Sequence, residues 1–421
     1  MGHKLGAIIG SCMVFIVMLI IGSTFYLNHL RQEDVKHVNN PKSRTFNLKK
    51  NKAISDKLGI MIWPYADSGV SEQDAMTNIE AQVSAAKRLH ASYVRVPLYL
   101  SEDFIHKGRY DDRYFHKAVT TILKSGMTPI IPFHADTNVS QKRSINFYKK
   151  IIYYEIHYFN GEGIIWEGWN EANIQEFWFD KNAFSKTTIA EWVNLNEKVA
   201  FYIKKNDESA TYLSGDLAAG QTGYRPEEFQ NQLEDAYSFG LFKKSQAISI
   251  HPYVTGQPEQ LLINDDTNKM AQLRNFLNNK KISTPIVTTE IGYSTEETWQ
   301  GRVTNKQQAD YDARAIFVLD SMHQPIISLY SVIGGWGIYD NNLNGALKMK
   351  PAAKLISVLM RKLKGYKYWQ TLNVGNSNCY CLLYKKNNKV KKVVWTVGSD
   401  EILTVHSKVT KFTQRPSITK W

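Results

Sequence analysis

Two carboxylates stand out by the residues around them. Glu171 closes the run Trp166-Glu167-Gly168-Trp169-Asn170-Glu171-Ala172-Asn173, and Glu290 sits within Thr288-Thr289-Glu290-Ile291-Gly292-Tyr293. Each follows a short, apolar, β-rich stretch, so each is expected at the end of a buried strand. Two carboxyl groups on one rim are what cleavage of a glycosidic bond requires. One protonates the leaving oxygen, and the other attacks the anomeric carbon or activates water. A separation of about 5 to 5.5 Å selects the retaining, double-displacement course, and a wider one selects inversion. The acid needs a raised pKa while the other group stays ionised; burial and neighbouring cations set that difference.

These residues need a scaffold, and the hydrophobic pattern supplies one. From Leu58 onward, apolar runs alternate with stretches of helical period. Strands are predicted over 58–63, 92–98, 127–134, 163–171, 211–217, 247–253, 285–292 and 326–334. Helices are predicted between them, for example over 78–89, 115–124, 189–205, 270–279 and 307–322, with another over 352–364. This order predicts an α/β fold, a (β/α)8 TIM barrel. An open doubly wound sheet is the alternative, but Trp63-Pro64-Tyr65 follows the first strand where a Gly-rich phosphate loop would stand. Barrel enzymes act at the C-terminal ends of their strands. Glu171 on strand four and Glu290 on strand seven then share that rim. The same reasoning gathers Arg95 from strand two, His134 from strand three, Asn170 from strand four, His251 and Tyr253 from strand six, and Trp336 after strand eight.

The paired motif is similar to that of the clan A glycoside hydrolases, which include cellulase-like and xylosidase-like families. The resemblance rests on Trp169-Asn170-Glu171 ending strand four and Thr289-Glu290-Ile291-Gly292 ending strand seven, and it covers residues 57–366. It implies Glu171 as acid/base, Glu290 as nucleophile and Asn170 on the sugar 2-hydroxyl. It implies Arg95 beside the nucleophile, keeping it ionised. It implies His134, His251, Tyr253 and Trp336 around the sugar next to the scissile bond. Ala172 stands where many relatives carry Pro. Plainer readings exist for the separate residues: a structural ion pair for Arg95, satisfied rim histidines for His134 and His251, packing for Tyr253 and Trp336.

Glu167 carries a prediction of its own. Side chains alternate along a strand, so Glu167 should lie below Glu171 on the same face. A buried carboxylate needs a partner. Arg95 is the expected one, because interior layers draw side chains from alternate strands. The alternative is a Glu turned outward against a helix.

The remaining sequence bounds the setting. The chain has 421 residues and a net charge of +13. Its Lys and Arg residues are spread along the chain without a nucleic-acid motif, so the charge reads as a solvated surface suited to an anionic envelope. No nucleic-acid partner, cofactor or metal is implied. His134 and His251 lack helix-borne partners at ligand spacing. Cys379 and Cys381 stand too close in sequence for an unstrained bridge and are predicted to be free thiols. Residues 6–27 carry no charge and are long enough to span a bilayer. They predict an uncleaved membrane anchor over 1–30, a polar tether over 31–55, the barrel over 56–366 and a small β module over 367–421. In that module three alternating runs predict antiparallel strands: 379–384, 392–397 and 402–405. The expectation is a single-pass cell-membrane protein with its catalytic domain outside. It would be a retaining glycoside hydrolase acting on a β-linked oligo- or polysaccharide, such as an envelope glycan or exopolysaccharide. A non-catalytic glycan-binding protein or a transglycosylase on the same barrel is the alternative.

Overall fold

The computed structural model describes residues 48, 51–65, 70–106, 109–135, 144–174, 176–178, 185–220, 226–341 and 347–421. The predicted anchor and most of the tether lie outside them. No helix among the described residues is long and apolar enough to cross a membrane.

Eight strands form the barrel: β1 (Leu58–Met61), β2 (Tyr93–Arg95), β3 (Thr128–His134), β4 (Ile165–Trp169), β5 (Thr211–Ala218), β6 (Ala247–His251), β7 (Ile286–Thr288) and β8 (Ile327–Leu329). All are parallel, each pairs with its sequence neighbours, and β8 closes the ring onto β1. Each lies within one of the eight predicted runs, apart from Ala218 at the end of β5. Eight helices alternate with them: α1 (Glu72–Arg88), α2 (Arg113–Lys124), α3 (Ile145–Tyr158), α4 (Lys186–Asn206), α5 (Pro226–Phe239), α6 (Lys269–Asn279), α7 (Asn305–Ser321) and α8 (Pro351–Lys362). Their starts obey capping chemistry. Ser71, Ser144 and Ser185 each accept a backbone N–H from the first turn, and Thr304 forms a reciprocal box with Gln307.

The barrel interior is stratified. Leu48, Tyr93, Ile130, Ile165, Leu213, Ala247, Val287 and Ile326 pack as an apolar plug at its N-terminal end. Two residues further along the strands, on the same faces, come Arg95, Glu167, Ser249, Thr289 and Ser328, all fully buried. An apolar floor below a polar layer means that whatever the polar layer does, it does facing the C-terminal rim.

After α8 the chain builds a four-stranded antiparallel sheet, β9 (Lys367–Leu372), β10 (Cys379–Lys386), β11 (Lys389–Thr396) and β14 (Ser417–Lys420), with the hairpin β12 (Glu401–Val405) and β13 (Lys408–Phe412). Only two residues, Asn387 and Asn388, join β10 to β11, because Asn387 accepts the left-handed backbone (φ +52°) that the turn needs. Cys379 and Cys381 are free and buried in this module's core. The sheet docks on α7: Tyr384 and Trp395 pack against Phe317, and the Tyr384 hydroxyl donates to Asp320 at 2.8 Å.

Candidate active site

Glu171 and Glu290 meet at the rim. A carboxylate oxygen of each and a ring nitrogen of His251 all lie within 4.8 Å of one another. The strands deliver the two groups differently. Glu290 follows β7 directly. Glu171 follows β4 after a turn in which its own backbone adopts φ +46°, a conformation costly for a side chain with a Cβ. The pairing of β5 with β6 shifts register between Ser214 and Leu217, and there Gly215 and Asp216 adopt φ +101° and +49°. Only glycine fits the first of these, since a Cβ there would stand 2.6 Å from the Ser249 carbonyl. The irregularity turns Asp216 into the barrel, and its carbonyl accepts the Glu171 N–H at 2.9 Å.

Arg95 is the hub below. Its Nε donates to Glu167 Oε2 at 2.8 Å, so the predicted inward pair is present. Its Nη1 donates to Glu290 Oε1. Its Nη2 donates to Asn170 Oδ1 at 3.0 Å and to both Asp216 oxygens at 3.1 Å. His251, fully buried, is the second hub. Its Nδ1 lies 2.7 Å from Glu171 Oε1 and 3.7 Å from Glu290 Oε2, and its Nε2 lies 2.7 Å from Asp216 Oδ1. The Tyr253 hydroxyl donates to Glu290 Oε2 at 2.9 Å.

Charge follows from this geometry. Burial opposes the Arg95 cation, but Glu167, Asp216 and Glu290 outweigh it and raise its pKa. Burial likewise opposes a charged His251, yet Glu290 and Asp216, with the contacts to Asp216 and Glu171, hold it well above the usual imidazole range. Burial pushes the Glu290 carboxyl up, and His251 and Arg95 pull against that rise without cancelling it. Glu167 is raised by burial and by Asp216. Burial and Glu290 keep Tyr253 a phenol, hence a donor.

Seven of the nine residues singled out in the sequence thus join one network: Arg95, Glu167, Asn170, Glu171, His251, Tyr253 and Glu290. Trp336 reaches it through ring contact with Tyr253 (5.2 Å between centroids), beside Tyr330 and Trp299. His134 sits in a nest of rings, edge-on to Trp63, Tyr99 and Phe177. Sequence reasoning missed Asp216 and Trp299. A carboxylate and a glycine inside the otherwise strand-like run Tyr212-Leu213-Ser214-Gly215-Asp216-Leu217 were the available signal for the first.

Among the described residues, three clusters offer enough donors for a metal: Glu171/His251/Glu290, Glu167/Asp216/His251 and Asp112/His116/Glu155. The first two share the cationic His251, and Arg95 holds Glu290 in one and Glu167 and Asp216 in the other, so a metal would have to displace charges already in place. In the third, His116 pairs with Glu155 at 2.7 Å and stacks on Tyr158.

No protein-family model matches the chain, and no curated protein is similar to it in sequence. Solved structures do match. A family 39 glycoside hydrolase from the gut symbiont Bacteroides cellulosilyticus WH2 superposes with a TM-score of 0.60 at 15% identity, over 87% of this chain and 81% of that one. The catalytic domain of a family 30 xylanase C from Talaromyces cellulolyticus gives 0.54 at 12% identity, over 88% and 93%. An endo-β1,6-glucanase gives 0.53 at 12% identity, over 90% of each chain. The chain has the (β/α)8 barrel fold that these glycoside hydrolases share.

Proposed function

We propose that the protein is a retaining glycoside hydrolase for β-linked glycans. The observation that carries this reading is the Glu171–Glu290 pair, a carboxylate oxygen of each within 4.8 Å of the other and the two flanked by different groups. Arg95 and Tyr253 bind Glu290, while His251 binds Glu171. In the first step Glu290 attacks the anomeric carbon while Glu171 gives its proton to the leaving oxygen. In the second, Glu171, now a carboxylate, takes a proton from water as that water displaces Glu290 from the sugar. Two donors on the Glu290 oxygens fix its direction of attack. Because Asn170 Oδ1 is taken by Arg95, the amide NH2 is the end left to donate to a sugar hydroxyl. The half-buried Trp336 beside Tyr253 offers a ring face for stacking on the sugar. Transglycosylation uses the same groups and differs only in the acceptor.

The substrate we propose is an oligo- or polysaccharide of the cell envelope, reached from a membrane anchor in residues 6–27 with the barrel on the outer side. The uncharged length of that segment and the basic surface support it. The test is a panel of β-glycans offered to the full-length chain and to Glu290→Gln, with release of reducing ends as readout. Release by the first and none by the second supports the assignment. Equal release by both removes Glu290 as nucleophile. Partition of the full-length chain into the soluble fraction without detergent would contradict the anchor.

A further inference from the structure

The network holds Asp216, a group that the double-displacement mechanism does not call for. Asp216 is fully buried, belongs to no predicted motif and sits on an irregularity in β5 that costs backbone strain. Both it and Glu171 are non-glycine residues at positive φ, and the N–H of one is bonded to the carbonyl of the other. Such paired strain persists only where the surroundings over-determine it. It places Asp216 behind His251, 2.7 Å from Nε2, while Nδ1 on the other side of the same ring lies 2.7 Å from Glu171.

That chain of carboxylate, imidazole and carboxylate constrains protons. A neutral imidazole has one donor and one acceptor, and ionised carboxylates only accept. With carboxylate oxygens at both nitrogens, either both nitrogens carry hydrogen or the proton on the Nδ1 side belongs to Glu171. Either way a single proton lies between Nδ1 and Glu171 Oε1, and the negative charge of Asp216, 2.7 Å from Nε2, favours a hydrogen on that second nitrogen. We propose that Asp216 is a positioning residue that holds, through His251, the proton Glu171 delivers to the leaving group. The proposal rests on Glu171 being the acid/base. When the proton passes from Glu171 to the leaving oxygen, Glu171 becomes the anion facing a ring that Asp216 keeps oriented. When water is deprotonated in the second step, the proton returns to the same pair.

The other ionisable groups near this ring are Glu290, 3.7 Å from Nδ1, and Glu167, within 4.8 Å; Arg95 and Tyr253 are bonded to Glu290. Arg95 is bound to Asp216 itself, so replacing Asp216 by Asn leaves the guanidinium less neutralised. Loss of the negative charge and the stronger field of Arg95 both lower the affinity of the His251–Glu171 pair for its proton. The alkaline limit of activity, where that proton leaves, must therefore move toward acid.

The experiment compares the wild-type full-length chain with Asp216→Asn in two ways. The first is the pH profile of kcat/KM on a β-glycoside that the wild type cleaves. The expected result is an alkaline limb displaced downward by about one to three pH units. A lower kcat/KM with unmoved limbs would make Asp216 a purely structural residue and overturn the proposal. The second is the titration of the His251 ring followed by 15N NMR, which needs no turnover. The wild-type His251–Glu171 pair should keep its proton above pH 7, on the ring or on Glu171, and in the variant that proton should be lost at lower pH. If Asp216→Asn does not fold, the wild-type titration still decides, since a His251 neutral at pH 7 with a charged Glu171 overturns the proposal. If no β-glycoside is cleaved, the glycosidase reading falls, and the ring titration alone then decides whether Asp216 governs the proton.

Discussion

Two clusters of buried charge can be compared within this molecule, one at the barrel mouth and one at the seam with the C-terminal sheet. At the seam the charges are closed off. Asp320 takes Lys57 on one oxygen at 2.5 Å and the Tyr384 hydroxyl on the other at 2.8 Å. Glu259 takes Arg314 on both oxygens and the Trp395 indole on one. Each carboxylate there has one cation, and every oxygen is bonded. The mouth is different. Four carboxylates (Glu167, Glu171, Asp216, Glu290) share two cations, Arg95 and His251. A structural ion pair is built to neutrality. The mouth holds surplus negative charge, which keeps protons within reach of the rim, as proton-transfer chemistry needs.

The sharpest way to break this contrast is Glu290→Gln. The expected turnover is below about one part in 10^4 of wild type, roughly 5.5 kcal/mol in barrier height. Its fold should not weaken at neutral pH. Burial raises the Glu290 pKa in the folded state, so its contribution to stability is fully present below the unfolded carboxylate pKa and is lost as pH rises through the folded value. A neutral isostere does not carry that loss. Chemical denaturation at pH 7 showing Glu290→Gln clearly less stable than wild type would contradict the account.

A matched pair of alanine variants sharpens the comparison. Glu167→Ala and Asp320→Ala each leave a buried cation short of a partner, and each is expected to cost about 3 to 5 kcal/mol by urea unfolding. The folded fraction of Asp320→Ala should retain its kcat/KM. That of Glu167→Ala should lose activity, because Arg95 then leans on Glu290 and Asp216. Equal effects on activity would erase the distinction between seam and mouth.

A smaller effect concerns pH. Glu290 must be ionised to attack, and its raised pKa puts the acid limb of kcat/KM above the ordinary carboxylate value of about 4.3. Tyr384→Phe at the seam should leave that limb in place. The smallest expected effect lies at Trp299, which is 49% exposed, 5.9 Å from Tyr253 between ring centroids, and packed over Gly220. Trp299→Ala should raise KM for a glycan chain by up to about tenfold, in the range of a single lost ring contact, with kcat little changed.

What could be read in the sequence was local or periodic. The eight strands showed because each is an apolar run bounded by polar residues, and the carboxylate pair showed because both groups end such runs. The Glu167–Arg95 pair followed from alternation along β4 and layering inside the barrel. Asp216 did not follow, because it turns inward only through the break in β5 at Gly215, which simple alternation cannot foresee. Helix α3 was not among the helices named, since its run Ile145 to Tyr158 is rich in aromatic and β-branched residues that blur the helical signal. In the C-terminal sheet, β10, β11 and β12 were visible as alternating runs. The short, polar β13 and β14 lacked the pattern.

The central claim is a retaining mechanism across the Glu171–Glu290 pair, and the most direct test is the configuration of the first-formed product. With a cleaved β-glycan in hand, 1H NMR of the anomeric signals in the first seconds of reaction reports it before mutarotation. The account predicts that the β-anomer appears first and the α-anomer only later. Initial release of the α-anomer would mean single displacement and contradict it.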